Sequence, residues 1–244
     1  MTKTALASAT CLASFLLVAC GDSDGKNESA ATTTGGQASA TGGGSSTQGG
    51  GENAAGGTSG GAANPSGGTS STTLFSDDFE SGSAKWTITQ GTCAVMADDT
   101  NVFHCAQGTN EARALAGETT WGDYTVTARI KPTLLGTGRR IYLAARCTDS
   151  NNWYGAAFYN DSPVAIQIRK KVGGSSSDLA ESTYPWVAGT WYKVAFKVSG
   201  TTLSMSVDDV PQLTIEDTQF ASGQIAFLAD QSEASIDDVL VTNP

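Results

Sequence analysis

The run "TWYKVAFKVSGTTLSMSVDD", residues 190–209, decides the fold. Tyr192, Val194, Phe196 and Val198 occupy every second position, with Lys193 and Lys197 between them. Successive side chains of a strand point to opposite faces, so this period places the apolar set inward and the lysines outward. Ser199-Gly200 then supplies a turn, and Leu203, Met205 and Val207 resume the alternation. Asp208-Asp209 turns the chain again into "PQLTI", residues 211–215. Two half-buried strands joined by a tight turn make a hairpin.

Working outward, the same grammar recurs. In "GDYTVTARIKP", residues 122–132, Tyr124, Val126, Ala128 and Ile130 share one phase. Thr125, Thr127, Arg129 and Lys131 share the other. "GQIAFLAD" (223–230) and "ASIDDVLVT" (234–242) close the chain in the same style. About thirteen short strands are expected, with no ten-residue helical period. So many strands in one domain predict an all-β, two-sheet antiparallel β-sandwich or jelly roll.

The N-terminal third reads differently. Lys3 precedes a mostly apolar stretch, Ala5 to Val18, too short to cross a bilayer, and it ends in Leu17-Val18-Ala19-Cys20. Small residues just before a Cys resemble the lipobox of bacterial lipoprotein signal peptides. That resemblance implies a signal peptide over 1–19, cleavage before Cys20 and lipidation of Cys20. Residue 21 is Gly rather than Asp, which favours an outer-membrane or cell-surface lipoprotein. Sixteen of the 29 glycines fall within residues 21–73, where there is no aromatic residue. Such a Gly/Ser/Thr/Ala stretch cannot bury enough apolar area to offset chain entropy, so a disordered linker is expected over 20–73. As a flexible coil its span would be about 40 Å. The globular domain is expected over 74–244.

Formal charge is −10, so nucleic acid is not an expected partner. With Cys11 in the leader and Cys20 lipidated, Cys93, Cys105 and Cys147 remain in an oxidising compartment. Cys93 and Cys105 flank a segment whose Asp98-Asp99 is turn-like, and a disulfide across that hairpin is expected. Cys147 alternates in phase with Ile141, Leu143 and Ala145, and reads as a buried free thiol.

Charge is unevenly placed. Residues 129–171 hold eight Lys and Arg against two Asp, within a chain of opposite overall sign. In "RRIYLAARCT" (139–148), Arg140, Tyr142 and Arg146 fall in one phase. In "PVAIQIRKK" (163–171), Gln167, Arg169 and Lys171 do the same. Between them, "DSNNWYGAAFYN" (149–160) alternates Trp153, Gly155, Ala157 and Tyr159 against Tyr154, Ala156 and Phe158. Consecutive strands joined by short turns are sheet neighbours. The expected ligand-binding set is therefore Arg140, Tyr142, Arg146, Trp153, Tyr159, Gln167 and Arg169, on one open face. Aromatic rings stack on the C–H faces of pyranoses, and Arg forms paired hydrogen bonds with carboxylates. Gly155 and Ala157 would leave a shallow floor for a sugar ring. A cationic face suggests an acidic glycan, with a merely solvated charged face as the alternative.

Several stretches taken together resemble a known family: "LFSDDFESGSAKWTI" (74–88), "TWGDYTVTARIKP" (120–132), "DSNNWYGAAFYN", the hairpin of 189–209 and "ASIDDVLVT". They resemble concanavalin A-like lectin/glucanase sandwiches, and more narrowly the laminin-G-like modules attached to bacterial pectate lyases. Such modules often carry Gly-x-Trp where this chain has Gly91-Thr92-Cys93. The resemblance implies carbohydrate binding, pectate or alginate being the acidic ligands in view. It also implies association with polysaccharide-degrading enzymes, a monomeric state and one structural calcium ion. Asp77 or Asp78 with Asp237 or Asp238 would supply the calcium cage, since the first and last strands pair in such folds. Solvated strand-end acids with a bulge are the alternative.

Catalysis is not expected. His104 is the chain's single histidine, and "GTSGG" (57–61) lies in the linker without the strand and helix a nucleophile elbow needs. Glucanases of this fold place acids two residues apart on one strand. Here Glu111, Glu118, Glu181, Glu216 and Glu233 each lack such a partner. An adhesion or protein-interaction domain is the second reading.

Overall fold

The computed structural model describes residues 71–106, 108 and 110–244. The signal peptide, the lipidated Cys20 and nearly all of the linker lie outside the described residues. The chain runs β1 (Thr73–Asp77), β2 (Thr87–Gln90), β3 (Thr92–Ala97), β4 (Asn101–Ala106), β5 (Glu111–Ala116), β6 (Tyr124–Leu135), β7 (Arg140–Asp149) and β8 (Asn152–Tyr159). It continues through β9 (Ala165–Val172), β10 (Ser175–Thr183), β11 (Tyr192–Ser199), β12 (Thr202–Val207), β13 (Val210–Glu216), β14 (Gln224–Asp230) and β15 (Ser232–Thr242). Among the described residues fifteen strands replace the roughly thirteen expected, and β1 starts at Thr73, one residue before the expected boundary.

Two antiparallel sheets form a sandwich. One has eight strands in the order β13-β12-β11-β6-β15-β4-β3, with β1 added beside β15. The other has seven, in the order β10-β9-β8-β7-β14-β5-β2. The alternating Tyr192-to-Val207 hairpin is β11–β12, with Phe196 opposite Met205 and Val198 opposite Leu203. Its inward set joins Tyr124, Val126, Ala128 and Ile130 of β6 in the core. The opposite sheet contributes Ile141, Leu143, Tyr154, Phe158, Ile166, Ile168 and Phe227. Each large apolar side chain so buried favours the fold by roughly 1.5–3 kcal/mol.

Phe79 stacks on Phe103 with ring centres 5.3 Å apart, and Trp86 packs beside both. The Trp86 indole donates to Asp77 at 3.0 Å, so the apolar plug carries its own polar partner. Cys93 lies directly opposite Cys105 in the β3–β4 register, and the two form a disulfide.

Candidate functional site

Register settles which side chains of β7, β8 and β9 share a face. Arg140 lies opposite Tyr159, Tyr142 opposite Ala157, and Ala144 opposite Gly155. Trp153 lies opposite Lys171, Gly155 opposite Arg169, and Ala157 opposite Gln167. Their alternating neighbours Ile141, Leu143, Tyr154, Phe158, Ile166 and Ile168 fill the core. The face turned away from the core therefore carries Arg140, Tyr142, Trp153, Tyr159, Gln167 and Arg169, six of the seven expected ligand-binding residues.

Arg146 is the exception. β7 bulges between Ala145 and Asp149, and Arg146 itself has φ of 46°. A bulge inserts a residue and reverses the phase of the strand beyond it. The Arg146 guanidinium turns to the end of the sandwich. There it donates to the carbonyls of Gly122, Gly200 and Phe220 at 2.9–3.0 Å, and to Asp123 at 2.9 Å. It is a fastener of three connections. Cys147 moves the other way, leaving the phase of Ile141 and Leu143 for the outer cluster with Tyr142, Ala144 and Trp153. It is free and buried, and burial pushes its thiol up to about 11, so it stays protonated.

The face is tightly self-bonded. The Arg140 guanidinium lies over the Tyr159 ring, 3.8 Å from its centre, and its Nε donates to Gln167 at 2.6 Å. Gln167, fully buried, passes its own amide N–H to Glu181 of β10. The Tyr159 hydroxyl donates to Asp161 at 2.6 Å, while Trp186 holds the Tyr159 carbonyl at 3.1 Å. Arg169 donates to the Tyr142 hydroxyl at 2.9 Å and pairs with Asp178. Burial pushes the Tyr142 phenol up to about 12, against the opposing pull of Arg169, so it remains neutral.

Trp153 and Tyr142 pack edge to face at 5.0 Å. Both are buried, with 1% and 3% exposure, among Ala144, Cys147, Ala157, Ala226 and Leu228. A Cβ placed on Gly155 would meet Tyr142 Cδ1 at 2.9 Å and Trp153 Cζ3 at 3.0 Å. The floor expected above Gly155 is thus occupied by the protein's own rings, not left for a sugar. What the set leaves accessible is a half-buried rim of Arg140, Tyr159 and Arg169, with Lys171 beside it.

β5 adds a residue the sequence reading missed. Arg113 sits opposite Leu228, which sits opposite Tyr142, so it belongs to the same face. It pairs with Glu111, and its Nε has no hydrogen-bond partner among the described residues. Trp153 Nε1 is also without one. The signal was available in "EARAL", residues 111–115, where Glu111, Arg113 and Leu115 alternate with small apolar residues.

The expected cationic excess is largely neutralised. Arg129 approaches Asp237 and Asp238, Lys131 pairs with Asp98, Arg139 with Asp230, and Lys170 with Asp217. These acids come from strands and turns outside the window in which the charges were counted. Arg140 and Lys171 keep no acid within ion-pair distance, and Lys171 lies 5.8 Å from the Trp153 ring centre.

The four predicted calcium ligands do not converge. Asp77 lies opposite Val239, so β1 and β15 do bring the two acidic pairs close. Asp77, Asp78 and Asp238 line a depression of about 310 Å³. Lys85 lines it too, donating to the Ser76 carbonyl at 2.7 Å and lying 3.6 Å from Asp77. The Asp77 carboxylate already accepts from Trp86 and from the Phe79 N–H. Asp237 faces elsewhere, accepting from Thr100 at 3.0 Å and from the Asp238 N–H at 2.8 Å. No group of three or more His, Cys, Asp or Glu side chains able to hold a metal occurs among the described residues. The donor set does not fit calcium, which wants six to eight oxygens and no ammonium beside them.

Trp121, Trp186 and Trp191 are accounted for by packing. Trp186 is core, Trp121 packs on Phe75 and Tyr124, and Trp191 lies beneath Arg129 and Lys131. His104 meets the Ser235 hydroxyl at 3.1 Å.

The chain is thus a two-sheet antiparallel β-sandwich with a polar, aromatic outer face on its seven-stranded sheet. The model of the concanavalin A-like lectin/glucanases superfamily, of the laminin-G kind, matches residues 106–243, and the chain belongs to that family. No protein of curated function matches the chain. Among solved structures it is similar to the carbohydrate binding module CBM66 from Bacillus subtilis, with a TM-score of 0.55 and 20% identity over 64% of this chain and 93% of that one. Domain 4 of an extracellular GH43 arabinanase from Geobacillus stearothermophilus, solved with arabinotriose, gives a TM-score of 0.52 at 14% identity, covering 71% and 93%. A β-glucanase from Bacillus licheniformis gives 0.51 at 14% identity, covering 70% and 97%. At such identities the likeness is one of fold.

Proposed function

We propose that the sandwich binds carbohydrate without transforming it, through the outer face of the seven-stranded sheet. The ligand carries carboxylates, as pectate and alginate do. The observation that supports this is Arg140. Its guanidinium has no acid partner, stands over the Tyr159 ring and is positioned by Gln167. A fixed planar donor over an aromatic ring suits a uronate, whose carboxylate meets the guanidinium while its C–H face meets the ring edge. Lys171 adds a second unneutralised charge on the same face. The family and the binding modules among its structural likenesses support a sugar ligand in general. The single His104, engaged with Ser235, supports binding alone, as do Glu111, Glu181, Glu216 and Glu233, strand glutamates without an acid two residues away.

The chain is further proposed to be an exported lipoprotein of the outer membrane or cell surface, anchored through Cys20 and acting as a monomer beside polysaccharide-degrading enzymes. Affinity electrophoresis of the protein in gels holding neutral or uronic polysaccharides, at two salt concentrations, tests the binding. Retardation by pectate or alginate that weakens with salt is the expected result. Free migration in every glycan would refute it. Incorporation of labelled palmitate into the wild type but not into Cys20→Ser tests the anchor.

A further inference from the structure

The eight-stranded sheet also turns a face away from the core, and part of it gathers hydroxyl side chains around one lysine. One cross-strand row runs Thr214, Ser204, Lys197, Thr125 through β13, β12, β11 and β6. Two depressions of about 260 Å³ each meet there, and both are lined by Lys197, Ser204 and Thr214. The first adds Ser199 and Thr202, the second Thr125 and Ser206, and no carboxylate lines either. None of these six hydroxyls is hydrogen-bonded to another described residue. The second depression has an apolar side of Ala195, Pro211 and Leu213.

Lys197 stands apart from the other cations. Most Lys and Arg of the sandwich lie within ion-pair distance of an acid. Arg140 and Lys171 do not, but each lies over a ring. Lys197 has neither an acid nor a ring. It is exposed, on the same strand and face as Lys193, which is paired with Asp209 at 2.7 Å.

We propose that this face is a second ligand site, centred on Lys197, for a sugar bearing a sulfate ester. An ammonium and a ring of free hydroxyls offer donors that match the acceptor oxygens of a tetrahedral oxyanion. One ammonium balances the single charge of a sulfate ester, whereas a phosphate monoester brings about −1.5 to −2. The Ala195, Pro211 and Leu213 side accepts the C–H face of the sugar that carries the ester. The site shares no residue with the Arg140 rim and does not depend on it.

The test is affinity electrophoresis of the full chain in dextran sulfate against unmodified dextran, with phosphorylated dextran as a third arm. Wild type is expected to be retarded by dextran sulfate. Lys197→Met is expected to lose about tenfold in affinity, while Lys193→Met behaves as wild type. Equal retardation of wild type and Lys197→Met overturns the proposal, as does free migration of the wild type. Tighter retention by phosphorylated than by sulfated dextran overturns the assignment to sulfate. Binding of uronic glycans is read separately through Arg140→Ala, so the two sites fail independently.

Discussion

The Tyr124 hydroxyl accepts the backbone N–H of Arg146 at 2.7 Å and donates to the Gly223 carbonyl at 3.1 Å. A single core phenol thereby satisfies the peptide groups that the β7 bulge removes from the ladder. Tyr124→Phe leaves a buried N–H without an acceptor. A loss of about 1–3 kcal/mol is expected, read by urea unfolding. An unchanged midpoint would show that the bulge holds without this phenol.

Arg146→Met should cost more, about 3 kcal/mol or above. It strands the Gly122, Gly200 and Phe220 carbonyls together and leaves Asp123 with only the Gly200 N–H. Because Arg146 stands off the glycan face, the folded fraction should bind polysaccharide as the wild type does. Loss of binding at full folding would return Arg146 to the ligand set.

Arg140→Ala should cost about 1–3 kcal/mol, since it strands the buried Gln167 side-chain carbonyl, and binding is compared on the folded protein. Retention in uronic glycans should fall about tenfold. Its salt dependence should flatten, because one of the two unneutralised charges of that face is gone. A variant retained like the wild type would remove the rim from the binding reading.

Asp217 gives a pH signature. Burial pushes its carboxyl up, but bonds from Lys170, the Tyr154 hydroxyl and the Gln219 N–H outweigh this and hold it below the ordinary 3.8. A folded value below the unfolded one stabilises above the unfolded value and is lost as pH falls through the folded one. Asp217→Asn should therefore destabilise at neutral pH, and the gap should close from about pH 4 downward. A gap that persists in acid would mean geometry rather than charge matters there.

Calcium removal should not alter melting. Lys85 stands among Ser76, Asp77 and Asp78, and Asp237 is committed to Thr100. A chelator-induced fall in melting temperature would show that the acids rearrange around an ion.

Alternation made most of the sandwich readable in advance. Val194, Phe196 and Val198 or Ile166 and Ile168 have no other way to face a core. What stayed hidden was non-local or aperiodic. The bulge at Arg146 exchanges that residue with Cys147, and nothing in "AARCT" (144–148) announces a left-handed residue. The charge patch looked free because its partners lie far along the chain: Asp217 for Lys170, Asp230 for Arg139, Asp98 for Lys131. Gly155 looked like open floor because one strand cannot reveal that a ring from the next will lie across it.

β1 adds five residues to one side of β15, beyond the stretch of β15 that β4 occupies, with Thr73 opposite Thr242. Among the described residues it has no strand on its other side. Tension arriving from the preceding chain therefore enters the sandwich through a short strand held along one side. β1 can peel from β15 while the β6–β15 ladder and both outer faces stay assembled. Mechanically, β1 is a fuse between whatever pulls on the chain and whatever the faces hold.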